Sequence, residues 1–409
     1  MTKITFLGDI MCEPNMLGPN KKTDGTYDFN ETFEKIKPTL AEADYVIGNM
    51  EFPLAGEATS YSPTYFTFNA PDTYADAIKN MGVDLVSVVN NHTLDRGVDG
   101  MMRTMKVLDE KGISRVGTRL PEEEHKEAFY FTLDGVKYAV ISYTYTTNKV
   151  LKGEDKIYNQ YINYLRKPAM SSYTPEIRKK MKTWVDKLPY IKKLKEQQRA
   201  KIKKLVGLPG TLERADDNME TECFSPYIDT FAADIKKAKE NADFVICYLH
   251  VGGQFNVKPG LFSEYVIDVA LKNGADAIFA HHSHMIQKAG YVDKVPVAFS
   301  LGNVTMCPYA DTIIKEHLPD YGLLMHLYMD GKEVVKTTFS IIKGVQKKGE
   351  KLISWRVDEL YNSLTSEKTK KKLEADVRQA YKYAMGKDIE GEVFRKEYDL
   401  DIDLASHNA

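Results

Sequence analysis

The sequence has no long apolar run. None approaches the ~20 residues needed to cross a bilayer, which excludes a transmembrane helix. It has only four cysteines, Cys12, Cys223, Cys247 and Cys307, spaced far apart and with no CxxC pair. That argues against a thiolate zinc finger. Cys12 and Cys247 sit in or beside apolar runs, as buried free thiols of a reducing compartment do. No glycine-rich loop has P-loop or Rossmann spacing. Excess charge is also missing: a net charge of -2 predicts no strong attraction to nucleic acid or anionic membranes. The first residues run straight into the strand-like Ile4–Leu7, with no basic region ahead of a longer apolar one. No secretory signal is visible, so a cytoplasmic enzyme is the expectation. Removal of a signal or anchor would make an extracellular or membrane-associated protein look the same.

What is present is an ordinary globular composition, 43% hydrophobic and 28% charged over 409 residues. Short apolar runs alternate with helical patterns. Strands are expected at Ile4–Leu7, Tyr45–Ile47, Asp84–Val89, Val136–Tyr145, Phe244–Leu249 and Ala277–Ala280. Helices are expected at Glu34–Ala43, Thr73–Met81, Gly97–Lys111, Phe231–Asn241 and Phe262–Asn273. The clearest is Gly97–Lys111, where Val98, Met101, Met102, Met105 and Leu108 fall on one face. Alternating strands and helices predict an α/β layered fold. Strands at Val295–Ser300, Gly322–Met329 and Glu333–Lys343 then follow without helices between them. They suggest an antiparallel or mixed continuation in a second sheet.

Residues 149–214 break this rhythm. They hold 18 basic residues against six acidic ones, about +12 in a chain whose total is -2. Met181, Trp184, Leu188, Ile191 and Leu194 give helical apolar spacing, so a helical insertion with a solvated basic face is expected. It has too few large apolar residues for a core of its own and should lean on the main body as a lid or arm. Residues 1–345, including this insertion, read as one domain. Residues 346–409 read as a helical extension packed on it.

The polar motifs fall where strands end. Gly8-Asp9 closes the first strand and Asn49-Met50-Glu51 the second. Asn90-Asn91-His92 with Asp95 follows the third. His250 ends a fourth, Ala280-His281-His282-Ser283-His284 a fifth, and Ser300-Leu301-Gly302-Asn303 a sixth. In α/β sheets the ligand crevice lies outside the carboxyl ends of the strands, so these motifs should converge. Asp9 and Glu51 offer anionic oxygen, Asn91 a neutral oxygen, and His250, His282 and His284 nitrogen. Mixed oxygen and nitrogen ligands without thiolate suit Mn, Zn or Fe. A shared carboxylate would hold two cations as two-metal hydrolases do. His92 can instead serve as a proton donor, with Asp95 orienting it. His281 is an alternative ligand to His282 if the register shifts. Ser300 and Asn303 either close the pocket or only turn the chain.

Together these motifs resemble the CapA-type poly-γ-glutamate (capsule) biosynthesis proteins, a branch of the calcineurin-like metallophosphoesterase superfamily. The resemblance covers about residues 1–145 and 225–330. It implies a four-layer α/β/β/α sandwich with a two-metal site between the sheets. It implies one metal on Asp9, Glu51 and His284, and a second on Glu51, Asn91, His250 and His282. It makes Glu51 the bridge and His92 the catalytic histidine. Asp95 is expected to assist His92, and His281 and Asn303 are expected to contact substrate. Met11 stands where many relatives have a ligand histidine, which implies a more open first site. Glu51 stands where many have Asp, and Val251 and Gln254 depart from the usual Trp and Glu.

Two functions remain in view. One is a metal-dependent hydrolase of a phosphoester or amide, acting on an anionic small molecule or polymer. The other is a non-enzymatic accessory of capsule synthesis or export that holds a polyanion such as poly-γ-glutamate. No specific nucleic-acid partner is expected, and the oligomeric state is open.

Overall fold

The computed structural model describes residues 1–168, 184–191, 225–310 and 313–404, with a few isolated positions between 194 and 219. The expected basic insertion therefore lies largely outside the described residues.

The first sheet opens with four parallel strands: β1 (Thr2–Ile10), β2 (Tyr45–Met50), β3 (Leu85–Ser87) and β4 (Ser114–Val116). The chain then builds the second sheet from β5 (Phe129–Leu133), β6 (Val136–Thr144), β7 (Phe244–His250), β8 (Ala277–His281), β9 (Ala289–Val292) and β10 (Val295–Ala298). Its order is β5-β6-β7-β8-β10-β9, parallel from β6 to β10, with an antiparallel strand at each edge. The chain returns to the first sheet with β11 (Tyr321–Asp330), β12 (Glu333–Val345), β13 (Ile353–Arg356) and the short β14 (Tyr398–Asp399). Of the late strands expected in a second sheet, Val295–Ala298 lies there as β10, whereas β11 and β12 join the first sheet. β11 lies antiparallel along β1, filling the edge of β1 that β2 leaves free.

The layering is the expected α/β/β/α. Between the sheets, Ile4, Phe6 and Ile47 meet Tyr138, Val140, Ile246 and Phe279 in one apolar core. The rings of Phe6 and Phe279 are 4.5 Å apart across it, and those of Tyr45 and Phe131 stack at 3.9 Å. Outside the first sheet, Val46 and Val86 pack with Phe33, Tyr74, Ile78 and Leu108 from the helical segments. Outside the second, Ile141, Val245 and Cys247 pack with Phe231, Ile235, Val266 and Ile267 from the helices Ser225–Asn241 and Leu261–Lys272. The helix expected at Glu34–Ala43 is instead two single turns, Asn30–Phe33 and Lys37–Leu40. Pro38 is the cause: it suits a first turn but cannot donate within a continuous helix.

The expected C-terminal extension does more than pack outside. Its helix Glu367–Met385 is capped by the Ser366 side chain, which accepts from Thr369 N, and ends on Gly386 at φ 68°. It buries Leu373, Val377 and Ala380 in the inter-sheet core. After it, Tyr398 pairs with Phe339 of β12, while Tyr291 of β9 donates to Ile402 O at 2.6 Å and accepts from Leu404 N at 2.8 Å. The tail therefore bonds to both sheets.

Close backbone packing brings the Leu301–Asn303 turn against β1. Asp9 N donates to Gly302 O at 2.9 Å. A Cβ at Gly8 would run into that same Gly302 carbonyl. Gly8→Ala is accordingly expected to cost on the order of 3 kcal/mol, the upper end for point substitutions, through this backbone clash. Urea unfolding that showed no loss would mean the turn shifts freely.

Candidate metal centre

Both sheets send strand ends into one pocket. Asp9 is in β1, Glu51 follows β2, and Asn91 and His92 follow β3. From the other sheet, His250 ends β7 and His281 ends β8, with His282 and His284 just beyond. The turn after β8 is tight: His282 has φ 96° and His284 φ 56°. Positive φ is uncommon outside glycine, and such strain concentrates at functional sites. Here it lets two residues with one between them face the same volume.

Glu51 sits at the centre. Its carboxylate is fully buried, and among the described residues neither oxygen has a hydrogen-bond donor. Three imidazole nitrogens face its Oε1: His284 Nε2 at 3.6 Å, His250 Nε2 at 3.7 Å and His92 Nε2 at 3.8 Å. Burial, followed by the nearby Asp9 charge, pushes its carboxyl well above the usual range. A buried carboxylate without a donor is costly, and a cation between it and the imidazoles would satisfy it.

Asp9 is the opposite case. Burial opposes its charge, but hydrogen bonds from His281 and His284 hold its carboxyl well below the usual range. Those nitrogens lie 3.2 Å and 3.1 Å away, and Asn49 Nδ2 donates to Asp9 Oδ1 at 2.8 Å. The backbone N–H of His282 donates to Oδ2 at 3.1 Å.

The hydrogen bonds assign the tautomers. His284 Nδ1 is 2.9 Å from Asn303 Oδ1 as well as near Asp9, and both are acceptors. Its proton is therefore on Nδ1, and the Nε2 lone pair faces Glu51. His92 Nδ1 donates to Asp95 Oδ2 at 2.6 Å, which turns its Nε2 to the pocket. Asp95 also accepts from Phe68 N at 2.6 Å, and the Phe68 ring lies 4.3 Å from His92. His250 Nε2 is 2.6 Å from Asn91 Oδ1, and its Nδ1 is 2.8 Å from His281 Nδ1. With His281 donating to Asp9, the His250 proton is on Nε2 and points at Asn91. A cation taking both atoms displaces that proton, as metal binding to histidine generally does. Burial, and then the neighbouring imidazoles, hold His250 and His282 well below the usual histidine range, so both are neutral. His282 Nδ1 also lacks a hydrogen-bond partner among the described residues.

Three groups here have the spacing to hold a metal ion: Asp9 with Glu51 and His284, Glu51 with His250 and His282, and Asp9 with His250 and His281. Six residues expected to be ligands are thus brought together. His92 and Asp95 pair as expected of a proton donor and its support.

The two residues expected to contact substrate, His281 and Asn303, both pack against other side chains of the pocket. His281 is fully buried, with Nδ1 on Asp9 and His250 and its ring 4.7 Å from Tyr248. It braces Asp9 and His250 from the sheet side. Asn303 is buried too, and its amide is fully used: Oδ1 on His284, Nδ2 donating to His284 O at 3.0 Å and Pro319 O at 2.7 Å. It aims His284. Met11 turns the other way, into the outer core, with its carbonyl accepting from Tyr74 OH at 2.8 Å and Thr305 Oγ1 at 2.9 Å. Asn49, Phe68, Tyr145 and Asn148 went unassigned from the sequence. Asn49 and Asn148 carried the same signal as the others, a polar residue after a strand.

Near this pocket Glu13 is buried with Oε2 accepting from Cys307 N. Burial raises its carboxyl to about 7 against that hydrogen bond. In the unfolded chain it ionises near its ordinary value. Between about pH 4.5 and 7 the folded state therefore holds a proton that the unfolded state has lost, and stability falls as pH rises. In chelator-treated protein, Glu13→Gln is expected to flatten this part of the Tm–pH curve. An unchanged slope would assign it to other groups.

The description "Bacterial capsule synthesis protein PGA_cap" matches residues 3–306. The chain belongs to that family. The PGA_cap match takes in every residue of the pocket. The Bacillus anthracis "Capsule biosynthesis protein CapA" is 24% identical over 303 residues, covering 73% of this chain and 58% of that protein. The Bacillus subtilis (strain 168) "PGA biosynthesis protein CapA" is 21% identical over 301 residues, covering 73% of this chain and 62% of its own length. This PGA_cap chain thus spans less than two thirds of the curated relatives it matches. A crystal structure of a hypothetical protein from Thermus thermophilus aligns with 84% of this chain and 99% of its own, at 12% identity and a TM-score of 0.44. So distant a likeness carries no argument. Among the described residues no helix is long and apolar enough to cross a membrane.

Proposed function

We propose that this PGA_cap chain is a metal-dependent hydrolase of the metallophosphoesterase type, cleaving a phosphoester or amide in an anionic substrate. The observation that carries the reading is Glu51: a buried carboxylate with no donor among the described residues, faced by three imidazoles. Asp9, Glu51 and His284 would hold one divalent ion, and Glu51, Asn91, His250 and His282 a second. Mn, Zn or Fe suits these donors. Such a pair of ions lowers the pKa of a water and neutralises charge developing on a phosphoryl or carbonyl oxygen. The protein's own part is orientation and proton transfer. Asp95 and the Phe68 ring fix His92 with Nε2 toward the pocket, where it can protonate a leaving oxygen or nitrogen. Asn49 and His281 hold Asp9, and Asn303 holds His284, so the ligands are set before substrate arrives.

The relatives' description as capsule and PGA biosynthesis proteins supports a second reading, a non-enzymatic accessory that binds poly-γ-glutamate or another polyanion. One experiment separates the two. Purified protein is analysed for bound metals, then assayed with Mn or Zn on phosphoester and γ-glutamyl-amide substrates. Hydrolysis that disappears in Asp9→Asn supports the enzyme. Metal uptake with polyanion binding and no turnover on either substrate class supports the accessory.

A further inference from the structure

We propose that Asn148 is a positioning residue that keeps the Asn91 amide oxygen turned toward His250. The inference rests on the reading of Asn91 as a ligand of the second metal. An asparagine amide has two chemically opposite ends, and only the oxygen can bind a cation. Rotating the amide by half a turn would present N–H groups to the ion and repel it. Something must therefore choose between the two orientations.

Asn148 makes the choice. Its Oδ1 accepts from Asn91 Nδ2 at 3.4 Å, and its backbone N–H donates to Asn91 O at 2.7 Å. An acceptor on that side selects the orientation with nitrogen toward Asn148. The Asn91 oxygen is then left 2.6 Å from His250 Nε2. Asn148 Nδ2 also lies 3.4 Å from His92 Nδ1, but that nitrogen already gives its proton to Asp95 and cannot accept. Contact with His92 is packing; the contact with Asn91 is directional. Asn148 stands on the loop after β6 of the second sheet, whereas Asn91 follows β3 of the first. Its neighbour Thr147 anchors that loop, with Oγ1 donating to Lys149 O at 2.9 Å and lying 3.0 Å from Tyr164 OH. The clasp thus ties a ligand on one sheet to the frame of the other. Outer partners of metal ligands typically contribute roughly 10- to 100-fold in affinity.

The test uses the full chain and Mn²⁺ alone, titrated by calorimetry with elemental analysis, in wild type, Asn148→Ala and Asn148→Asp. Asn148→Ala is expected to weaken one of two ions by roughly 10- to 100-fold and leave the other unchanged. Asn148→Asp keeps an acceptor for Asn91 Nδ2 and is expected to bind at or above the wild-type affinity. Asn148 is only half-buried, so the Tm of both variants in chelator should match wild type. Two ions in wild type with the same two affinities in Asn148→Ala would overturn this inference alone. So would equal losses in Asn148→Ala and Asn148→Asp. Wild-type protein that takes up no Mn²⁺ would overturn the metal reading, and the inference with it.

Discussion

Glu51→Gln is expected to abolish uptake of both metals together while making the metal-free protein more stable. The two halves have one cause. Glu51 is the only residue common to both of the proposed metal groups, so losing its charge removes an anionic donor from each. Affinity should fall by roughly 100-fold or more, above the range for outer partners because a direct ligand is lost. Without metal, the same carboxyl is buried among groups that do not satisfy it, and burial pushes it well above its ordinary range. Near neutral pH the unfolded state gains from ionising it and the folded state does not. Glutamine has nearly the same shape and no such penalty. Thermal unfolding should therefore cross over. In chelator the Glu51→Gln protein outlasts wild type; with Mn²⁺ at roughly 100 times the Kd, wild type gains about 2.7 kcal/mol and the variant gains little. A variant that still bound two ions would remove Glu51 from the bridge.

His92→Ala should separate proton transfer from metal binding. His92 lies 3.8 Å from Glu51 through Nε2, but it belongs to none of the groups with ligand spacing. Its other nitrogen is committed to Asp95 at 2.6 Å. Metal content should stay near wild type, while turnover falls by roughly 10²–10⁴-fold, the range for a lost general acid. The fall should be smallest for substrates whose leaving group needs no proton, such as an activated aryl ester. Comparing aryl and alkyl esters checks the role: equal losses on both, or loss of a metal ion, would make His92 something other than a proton donor.

Much of this site was legible because strands announce their ends. Short apolar runs located β1, β2, β7 and β8, and the polar residue after each lies in the pocket. What the sequence could not supply was side. His281 and His282 are adjacent, yet one ends β8 in register with His250 and the other turns away at positive φ. That choice is made by pairing with a strand 31 residues earlier, which no local pattern encodes. The partners of Asn303 were hidden for a similar reason: its four contacts come from His284, Met306 and Pro319. Two of the late strands, Gly322–Met329 and Glu333–Lys343, were placed in the wrong sheet because alternation reveals a strand and not its neighbour. The edge of β1 that takes β11 exists only once β2 has taken the other.

The bond between β1 and β11 also sets a clock. Asp9 is made roughly 300 residues ahead of Tyr321, where the strand that pairs with β1 begins, and the tail that joins both sheets lies at 398–404. At about 5–20 residues per second, a ribosome needs on the order of tens of seconds to pass from one to the other. During that time the ligand histidines are still being added, and the first sheet lacks its antiparallel half. A cation met then would find a first sheet not yet closed by β11. If the pocket holds metal as proposed, loading should follow the pairing of β11 with β1, and a nascent chain stalled before residue 321 should hold none.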